Sequence, residues 1–237
     1  FKNKNVNLTV TLSPTSYPSD ANSIFPFSGL SNMLTIYCNE NGYFTKYMSD
    51  RYGFNNPDKE WNETEIEYIL VGDSFTHGAC VNRPYDIASV LRILSKKPVI
   101  NLGYRGNGPL IEYAALREYL PSNVKNVLWL YYEGNDLTDL KNELISPILT
   151  QYLTNKSFTQ KLKSKQKQID QLGSNIIKTS ISKYNVSKFN KLINFVKLSK
   201  FRENLTSFSQ ETQTVKDIPP AFIEILKLTK ELTAKNN

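Results

Sequence analysis

Histidine and cysteine are scarce in this chain of 237 residues, which contains one histidine and two cysteines. His77, Cys38 and Cys80 lack the spacing of a metal-ligand set, so the sequence indicates no structural zinc site. The default expectation is two buried thiols, and a single disulfide is expected only if the protein is exported. The chain also lacks an apolar run of the about 18 residues that a membrane-spanning helix requires, so no such helix is predicted.

The chain does contain enough apolar material for a substantial core. Hydrophobic residues make up 40% of the sequence and aromatic residues 12%, values that fit neither a disordered chain nor a membrane protein. The length suits one α/β domain with insertions or two small domains. Because the chain opens at Phe1 rather than at a methionine and closes on a helical pattern, we expect it to be a fragment.

The net charge of +7 is concentrated in one segment. Residues 156–203 contain 12 lysines and arginines against Asp170 and Glu203, which gives +10 and leaves −3 for the remainder of the chain. A basic excess confined to one segment argues against nucleic acid as the main partner. We interpret the segment as a solvated, lysine-rich face of surface helices, with contact to an anionic surface as the alternative.

Residues 1–63 are predicted to form an N-terminal extension that contains a β-hairpin. Two runs typical of strands, 33–38 and 43–48, lie on either side of Asn41-Gly42. Asn-Gly between two such runs is a strong signal for a hairpin turn. Residues 51–58 are interpreted as an ordered loop that leads to the first core strand.

The next part of the chain alternates between strand and helix patterns. The predicted elements are strands at 66–71, 99–102 and 127–132 and helices at 84–94 and 110–120. This alternation predicts a parallel sheet with right-handed crossovers. The third strand is continuously apolar, so it is predicted to be buried on both faces. The first helix carries apolar residues at helical spacing, which predicts one buried face composed of Ile87, Val90, Leu91 and Leu94.

Residues 140–206 are predicted to be a basic helical insertion, either a lid or an interaction arm. Its predicted helices span 140–153, 158–177 and 186–201. Within it, residues 161–168 are too polar to be expected in a core. A last predicted helix, 221–232, follows a Pro-Pro start signal and has four candidate core residues, Phe222, Ile225, Leu226 and Leu232.

Each of the three predicted strands ends in residues capable of chemistry. Gly72-Asp73-Ser74 follows the first strand, a glycine-rich stretch at 101–108 follows the second, and Gly134-Asn135 follows the third. Because parallel strands end at one edge of a sheet, we expect a hydroxyl, a close backbone turn and a carboxamide to meet there. The backbone N–H groups of Ser74 and Gly106 and the side-chain amide of Asn135 are candidate oxyanion donors. An ordinary turn with a helix cap remains the alternative at Ser74.

At these motifs the sequence resembles the SGNH, or GDSL, hydrolase family. Ser74 in Gly72-Asp73-Ser74 is similar to the nucleophile of the first block, Gly106 to the glycine of the second, and Asn135 to the asparagine of the third. The resemblance covers residues 64–140. It implies a three-layer α/β/α sandwich with a flavodoxin-like parallel sheet over residues 64–237, with the insertion included. It also implies ester hydrolysis or acyl transfer without cofactor or metal, and an oxyanion hole formed by Ser74, Gly106 and Asn135.

The substrate expectation rests on a smaller likeness. Residues 52–58 are similar to bacterial family members that handle cell-surface glycans, which implies an ester or acetylated-glycan substrate. The compartment, bacterial cytoplasm or cell envelope, stays open, and so does the oligomeric state.

The fourth block of the family is an Asp-x-x-His near the C-terminus, and no such motif follows residue 140. The favoured explanation is a domain that is incomplete at its C-terminus, so that this chain alone is inactive. A second explanation makes His77, three residues after Ser74, the base, with Asp73 stabilising the turn. The third is a non-catalytic member of the family that binds glycan or serves in assembly.

Overall fold

A computed structural model describes residues 8–17, 24–39, 42–195 and 218–234, with the backbone alone for 181–195. The strands are β1 (Leu8–Val10), β2 (Leu34–Ile36), β3 (Lys46–Met48), β4 (Ile66–Gly72), β5 (Val99–Asn101) and β6 (Val124–Leu130). The α-helices are α1 (Ser74–His77), α2 (Ile87–Ser95), α3 (Pro109–Tyr119), α4 (Asp136–Glu143), α5 (Pro147–Thr154), α6 (Gln166–Phe195) and α7 (Pro220–Ala234). Short 3-10 helices lie at Pro14–Ser16, Asp58–Asn62 and Leu162–Lys165.

The larger helices and the main sheet give a mixed α/β fold, as predicted. Strands β5, β4 and β6 are hydrogen-bonded in that order, and both pairs are parallel. Leu70 in the central strand is aligned with Asn101 on one side and with Leu128 on the other. The first core strand, β4, thus lies between the second and the third. β6 begins three residues before the predicted start at Val127 and ends at Leu130, so Tyr131, which was predicted to belong to it, lies beyond its end.

Two apolar clusters cover the two faces of this sheet. Ile69 and Val71 point into the main core, which α3, α5 and α7 complete on that side. Leu70 and Val99 belong to a small cluster on the other side, together with Ala88 of α2. Alternate residues of β4 thus enter opposite cores, as the two-residue period of a strand requires.

The predicted buried face of α2 is wrong for three of its four residues. Ile87 and Val90 are 42% and 39% exposed, and Leu94 is 76% exposed, whereas Leu91 packs partly against the small cluster on the sheet. The buried residues of the helix are the small Ala88 and Ser89.

The prediction that the third strand is buried on both faces is also wrong. β6 lies at an edge of the described sheet, because β4 is its only strand neighbour there. Leu128 is 39% exposed, while Val127 and Trp129 pack partly against the main core. A strand on the edge loses the neighbouring strand and helix that would bury its second face.

The predicted hairpin is confirmed, and it is part of a small second sheet. β2 and β3 pair antiparallel, with Thr35 opposite Tyr47. β1 pairs parallel with β2 on its other side. β1 was not predicted, because three residues in a polar stretch are too short to show a strand period.

The two cysteines form a disulfide, so the default expectation of free buried thiols is wrong. Cys38 follows β2 and Cys80 follows α1, and their Cα atoms lie 5.3 Å apart. The bond fastens the hairpin of the N-terminal extension to the turn after Ser74. Sequence spacing did not indicate it, because 42 positions separate the two residues and only the fold brings them together.

The insertion is helical, as predicted, but its boundaries and packing differ from the prediction. The expected helix at 140–153 is two helices, α4 and α5, which are separated before Pro147. α6 is continuous through 178–185, where a break was expected, and part of the third predicted helix lies outside the described residues. Within the described parts of the chain, no helix is long and apolar enough to cross a membrane.

The polar stretch 161–168 contributes to the core after all. Leu162 is fully buried and Gln166 is 8% exposed. One turn further, the Asp170 carboxylate accepts hydrogen bonds from the backbone N–H and the hydroxyl of Ser31, at 2.8 and 2.7 Å. The polar residues of this stretch pack against the N-terminal extension, which composition alone did not reveal.

The last predicted helix is confirmed as α7. Ile225 is fully buried, and Phe222 and Leu232 pack partly against the main core. Leu226, predicted to face the core, is 44% exposed, whereas Leu228 is buried in its place. The contacts of α7 with α3 and α5 determine which side of the helix faces the core.

Candidate active site

Ser74 stands at the carboxyl end of the central strand. β4 ends at Gly72, and the Asp73 carboxylate caps α1 by accepting the backbone N–H of Phe75 at 2.8 Å. A Cβ on Gly72 would lie 2.1 Å from the Thr76 hydroxyl oxygen, so no larger residue fits this turn. The tight turn leaves Ser74 half-buried as the first residue of α1.

Gly106 lies in the loop that follows the neighbouring strand. The backbone N–H of Tyr104 donates to the Gly72 carbonyl at 3.2 Å, which extends the contact between the two strand ends. Gly106 has a φ of +72°, a conformation that favours glycine. A Cβ there would lie 2.7 Å from the hydroxyl of Ser13. Within the described residues, neither the Gly106 nor the Ser74 backbone N–H has a hydrogen-bond acceptor.

Asn135 follows the third strand and directly precedes α4. Its side chain makes no cap hydrogen bond to that helix. Instead its Nδ2 donates to Asp139 Oδ2 at 2.7 Å, while its Oδ1 is buried and lacks a partner within the described residues. Asp139 therefore fixes the orientation of the amide and leaves its second N–H available.

Adjacent pairing of β5, β4 and β6 brings these three strand ends to one edge of the sheet. β6 ends at Leu130, which is aligned with Gly72 at the end of β4. No hydrogen bond links Ser74 to Gly106 or Asn135 in the described structure. The three groups thus follow strands that end at one edge of the sheet, and none of them accepts a hydrogen bond from another.

The ordered loop at 51–58 holds two of the strand ends in place. The Asn55 amide donates to the His77 carbonyl at 2.9 Å. Asn56 brackets Asn101 by donating to its carbonyl at 2.9 Å and accepting its N–H at 2.8 Å. Asp50 folds the loop itself, since its carboxylate accepts four hydrogen bonds from within residues 52–61.

His77 is packed inside the fold. Its ring is stacked on those of Tyr37 and Tyr104, each with a centroid distance of 4.5 Å. The backbone N–H of Arg105 donates to His77 Nδ1 at 3.2 Å, and Nε2 lies 2.9 Å from the Tyr47 hydroxyl. Because Nδ1 accepts, Nε2 carries the proton and donates to Tyr47.

Both ring nitrogens of His77 are therefore occupied by groups other than Ser74. Burial lowers the pKa of His77 to about 3, and the positive charge of Arg105 adds to this effect. The ring therefore stays neutral near pH 7, and it helps to hold the turn that carries Ser74 by packing inside the fold. The nearest recorded partner of the Ser74 hydroxyl is Asp73 Oδ2 at 3.4 Å, which is a long contact.

A cluster of five carboxyl groups lies behind this edge. Its members are Asp73, Glu112, Asp136, Asp139 and Glu143, and the charge of Asp73 helps to raise the pKa values of Glu112, Asp136 and Asp139. Burial, together with the charges of Asp73 and Asp139, raises the pKa of Asp136 to about 7. Burial also raises the pKa of Glu143 to about 8 and that of Glu112 well above its usual value.

The hydrogen bonds to these carboxyl groups come mainly from backbone, ring and amide N–H groups, and Glu112 Oε1 and Asp136 Oδ1 are buried without a partner within the described residues. Glu143 accepts the N–H groups of Gly108 and Leu110 at 2.6 and 2.9 Å, and Glu112 accepts the Trp129 ring N–H at 2.5 Å. Among the described residues, no group of three or more His, Cys, Asp or Glu side chains has an arrangement that could hold a metal ion. The cluster is thus an acidic, partly protonated wall beside the site.

This wall makes stability depend on pH in a defined direction. The folded state keeps the Asp136 proton up to about pH 7, whereas the unfolded chain loses it near pH 4. Folding therefore loses free energy as the pH rises between these values. We expect Asp136→Asn to reduce the fall in unfolding free energy between pH 5 and pH 8. The difference from the parent should be about 1 kcal/mol or more after allowance for solvent screening.

Urea denaturation at the two pH values measures this difference. Asp58→Asn is the matched control, because Arg51 lowers the pKa of Asp58 and that group stays ionised over the whole interval. Parallel pH profiles for the parent and Asp136→Asn would contradict the assignment of a raised pKa to Asp136.

A cleft of about 290 Å³ opens beside Gly106 and Asp139. The N-terminal extension contributes Tyr17 and Phe25 to its lining, and the insertion contributes residues 142–149. Residues of the insertion therefore line a cleft that also contains Gly106. The part played by the extension was not predicted, because nothing in its polar sequence relates it to residues about 90 positions away.

Sequence reasoning also missed the side chains that orient the site. Asp139 lies four residues after Asn135, a helical spacing that places the two side chains together and that was available as a signal. Glu112 had no such signal, since its role depends on the position of α3 against β6. Comparison of the chain with family models, with curated proteins and with solved structures gives no significant match.

Proposed function

We propose that this protein transfers acyl groups by way of Ser74, either to water or to a sugar hydroxyl. The observation that carries the proposal is the edge shared by three adjacent parallel strands, where the segments that follow them contain Ser74, Gly106 and Asn135. A hydroxyl beside donors with unused N–H groups is the arrangement required to attack an ester carbonyl and to hold the resulting oxyanion. This supports the assignment to the SGNH hydrolase type.

The finer architecture belongs to the same proposal. A flavodoxin-like sheet begins with the strand order 2-1-3, and β5-β4-β6 has that order. Helix α2 lies on one face and α3 on the other. These features support a three-layer α/β/α sandwich for residues 64–237.

In the proposed reaction, the Ser74 oxygen attacks the ester carbonyl and forms a tetrahedral intermediate. The backbone N–H groups of Ser74 and Gly106 and the amide of Asn135 stabilise its negative oxygen. Collapse of the intermediate expels the alcohol and leaves an acyl-serine. Water or an acceptor sugar then takes the acyl group and releases Ser74.

The proton of Ser74 requires a base. The single histidine of the chain is His77, and both of its nitrogens are engaged by other groups. The proposal therefore includes a base other than His77, which takes the proton from Ser74 and returns it to the departing alcohol.

Aromatic side chains near the serine support a glycan ester as the substrate. Phe75 is 56% exposed, and its ring lies 4.8 Å from that of Tyr132, which is 43% exposed. Exposed aromatic faces pack well against the apolar faces of sugar rings. The Cys38–Cys80 disulfide supports a place in the cell envelope rather than in a reducing cytoplasm.

Covalent labelling with a fluorophosphonate tests the proposal directly. In the full-length protein we expect one phosphonyl group per chain, attached to the Ser74 peptide in mass spectrometry. Ser74→Ala should show none, because the attacking oxygen is gone. The control Ser13→Ala removes a nearby hydroxyl and should still be labelled. Equal labelling of the parent and Ser74→Ala, or no labelling of either, would overturn the nucleophile assignment.

A second candidate function is glycan binding or assembly without turnover. The specific observation in its favour is the occupied His77, which leaves Ser74 without a base in the described structure. This function predicts that Ser74→Ala binds acetylated glycan as the parent does and that no ester is consumed. The labelling experiment separates the two, because a binding protein does not activate its serine.

A further inference from the structure

A second cleft, of about 600 Å³, lies away from the serine. Helix α2, the 3-10 helix Asp58–Asn62 and the residue before β5, Pro98, form its walls. Its cationic side chains are Lys59, Arg83, Arg92, Lys96 and Lys97, and its acidic ones are Glu60 and Glu63. Five positive charges against two negative charges give this cleft a net charge of +3.

Arg92 lines this cleft with a largely buried guanidinium. Its Nε and Nη2 donate to the Val99 carbonyl at 2.9 and 2.6 Å, and Nη2 also donates to Asn56 Oδ1 at 2.6 Å. Its Nη1 is buried and has no hydrogen-bond partner within the described residues. The side chain is only 12% exposed, so the guanidinium is fixed in place with one NH₂ group unpaired.

Glu60 is the salt-bridge partner of Arg92, but it engages Nε and leaves the cleft with three more positive than negative charges. Glu60 Oε2 lies 3.7 Å from Arg92 Nε and also accepts the Val99 N–H at 3.1 Å. Arg83 adds a second, half-buried guanidinium, whose Nη2 donates to the Met48 carbonyl at 2.5 Å. Burial lowers the pKa of both arginines, which reflects the free-energy cost of their partly desolvated charges. A bound anion would offset that cost.

The cleft and the serine lie at opposite ends of the sheet. Pro98 immediately precedes β5 at its amino end, whereas Ser74 follows the carboxyl end of β4, which runs parallel to β5. The basic side chains of the cleft therefore lie apart from the carboxyl groups beside Ser74. A charged ligand would thus be drawn to the second site independently of acyl chemistry.

We infer that this cleft binds an oxyanion of the phosphate or sulfate type that is carried on a ligand of sugar size. Fixed guanidinium groups match the geometry of such anions and donate charge-assisted hydrogen bonds to them. The volume lies within the range of ordinary small-molecule sites. The lysines Lys59, Lys96 and Lys97 are exposed at the cleft and would add charge around the ligand.

Isothermal calorimetry with inorganic phosphate, inorganic sulfate, glucose 6-phosphate and glucose 6-sulfate tests the inference. We expect binding of phosphate-type and sulfate-type probes, and tighter binding of the sugar esters if the remainder of the cleft contacts a sugar. Comparison of the two esters identifies which oxyanion the site prefers. The absence of binding for all four probes at millimolar concentration would overturn the inference.

Matched variants distinguish a specific binding site from a general effect of the protein's positive charge. Replacing Lys59, Lys96 and Lys97 with glutamine should weaken binding at least tenfold. Replacing Lys141, Lys167 and Lys178, which are exposed and do not line the cleft, removes the same charge and should change affinity less than twofold. Equal weakening by both triple variants, or by neither, would contradict the inference.

Arg92→Lys gives an independent check. It keeps the positive charge but removes the planar guanidinium, so binding of the probes should again fall at least tenfold. Because Arg92 also bonds to Val99 and Asn56, its thermal unfolding must be measured beside binding. Arg83→Gln provides a second test if Arg92→Lys does not fold, since Arg83 makes a single recorded backbone contact. Unchanged affinity for the probes in a folded variant would show that the guanidinium does not contribute to anion binding.

Discussion

Replacing Asn135 with alanine should lower ester turnover in the full-length protein by roughly 100- to 1,000-fold. The amide would donate to the oxyanion that forms on the substrate, and loss of one such donor costs about 3 to 4 kcal/mol of transition-state stabilisation. The effect should fall on kcat more than on KM, because the donor acts on charge that develops only in the transition state. Steady-state kinetics with p-nitrophenyl acetate measures both constants.

The fold should tolerate this change. Asn135 makes no cap hydrogen bond to the backbone of α4, and its truncation removes one side-chain hydrogen bond, to Asp139 in the first turn of the helix. Asn126→Ala is the matched control, since Asn126 lies on β6, away from the carboxyl edge, and donates to the Glu67 carbonyl. It should leave turnover unchanged. Equal kcat values for Asn135→Ala and the parent would remove Asn135 from the oxyanion hole.

Removing the disulfide should lower the free energy of unfolding by about 4 kcal/mol. The Cys38–Cys80 bond closes a loop with a sequence separation of 42, and the chain-entropy relation gives about 4 kcal/mol for a loop of that length. The double variant Cys38→Ser, Cys80→Ser tests this in urea denaturation. The parent measured with reductant serves as its control, and it should be destabilised to a similar extent.

The same change should loosen the surroundings of the serine. The disulfide holds the hairpin against α1, and Tyr37 and Tyr47 of the hairpin region contact His77 in α1. We therefore expect faster amide hydrogen exchange in residues 74–80 of the double variant. A loss of less than 1 kcal/mol, with unchanged exchange there, would contradict a bracing role for the bond.

The sequence predicted the elements of the main sheet because their signals are local. The apolar run at 66–71 and the breaking Gly72 identify a strand and its end without help from distant residues. The order of strands and helices then predicts parallel pairing, which the structure has. The placement of Ser74, Gly106 and Asn135 at strand ends follows from the same signals.

The predictions that were wrong concern which face of a helix or strand is buried and which elements pack against it. The apolar stripe of α2 predicted its own burial, but the buried residues of that helix are the small Ala88 and Ser89. β6 has the composition of a buried strand, and its edge position leaves Leu128 partly exposed. Burial depends on what lies opposite a residue, and a pattern along one segment does not contain that information.

The chain by itself therefore determined the strand–helix alternation, the hairpin and the residue types at the strand ends, since all of these rest on contacts between near neighbours. Only the tertiary structure decided the environment of His77, which lies between Tyr37 and Tyr104 with both nitrogens occupied. It also decided the Cys38–Cys80 bond and the gathering of the acidic wall. These features join segments that are far apart in sequence. Packing of the core, rather than local spacing, determines which of their side chains are buried together.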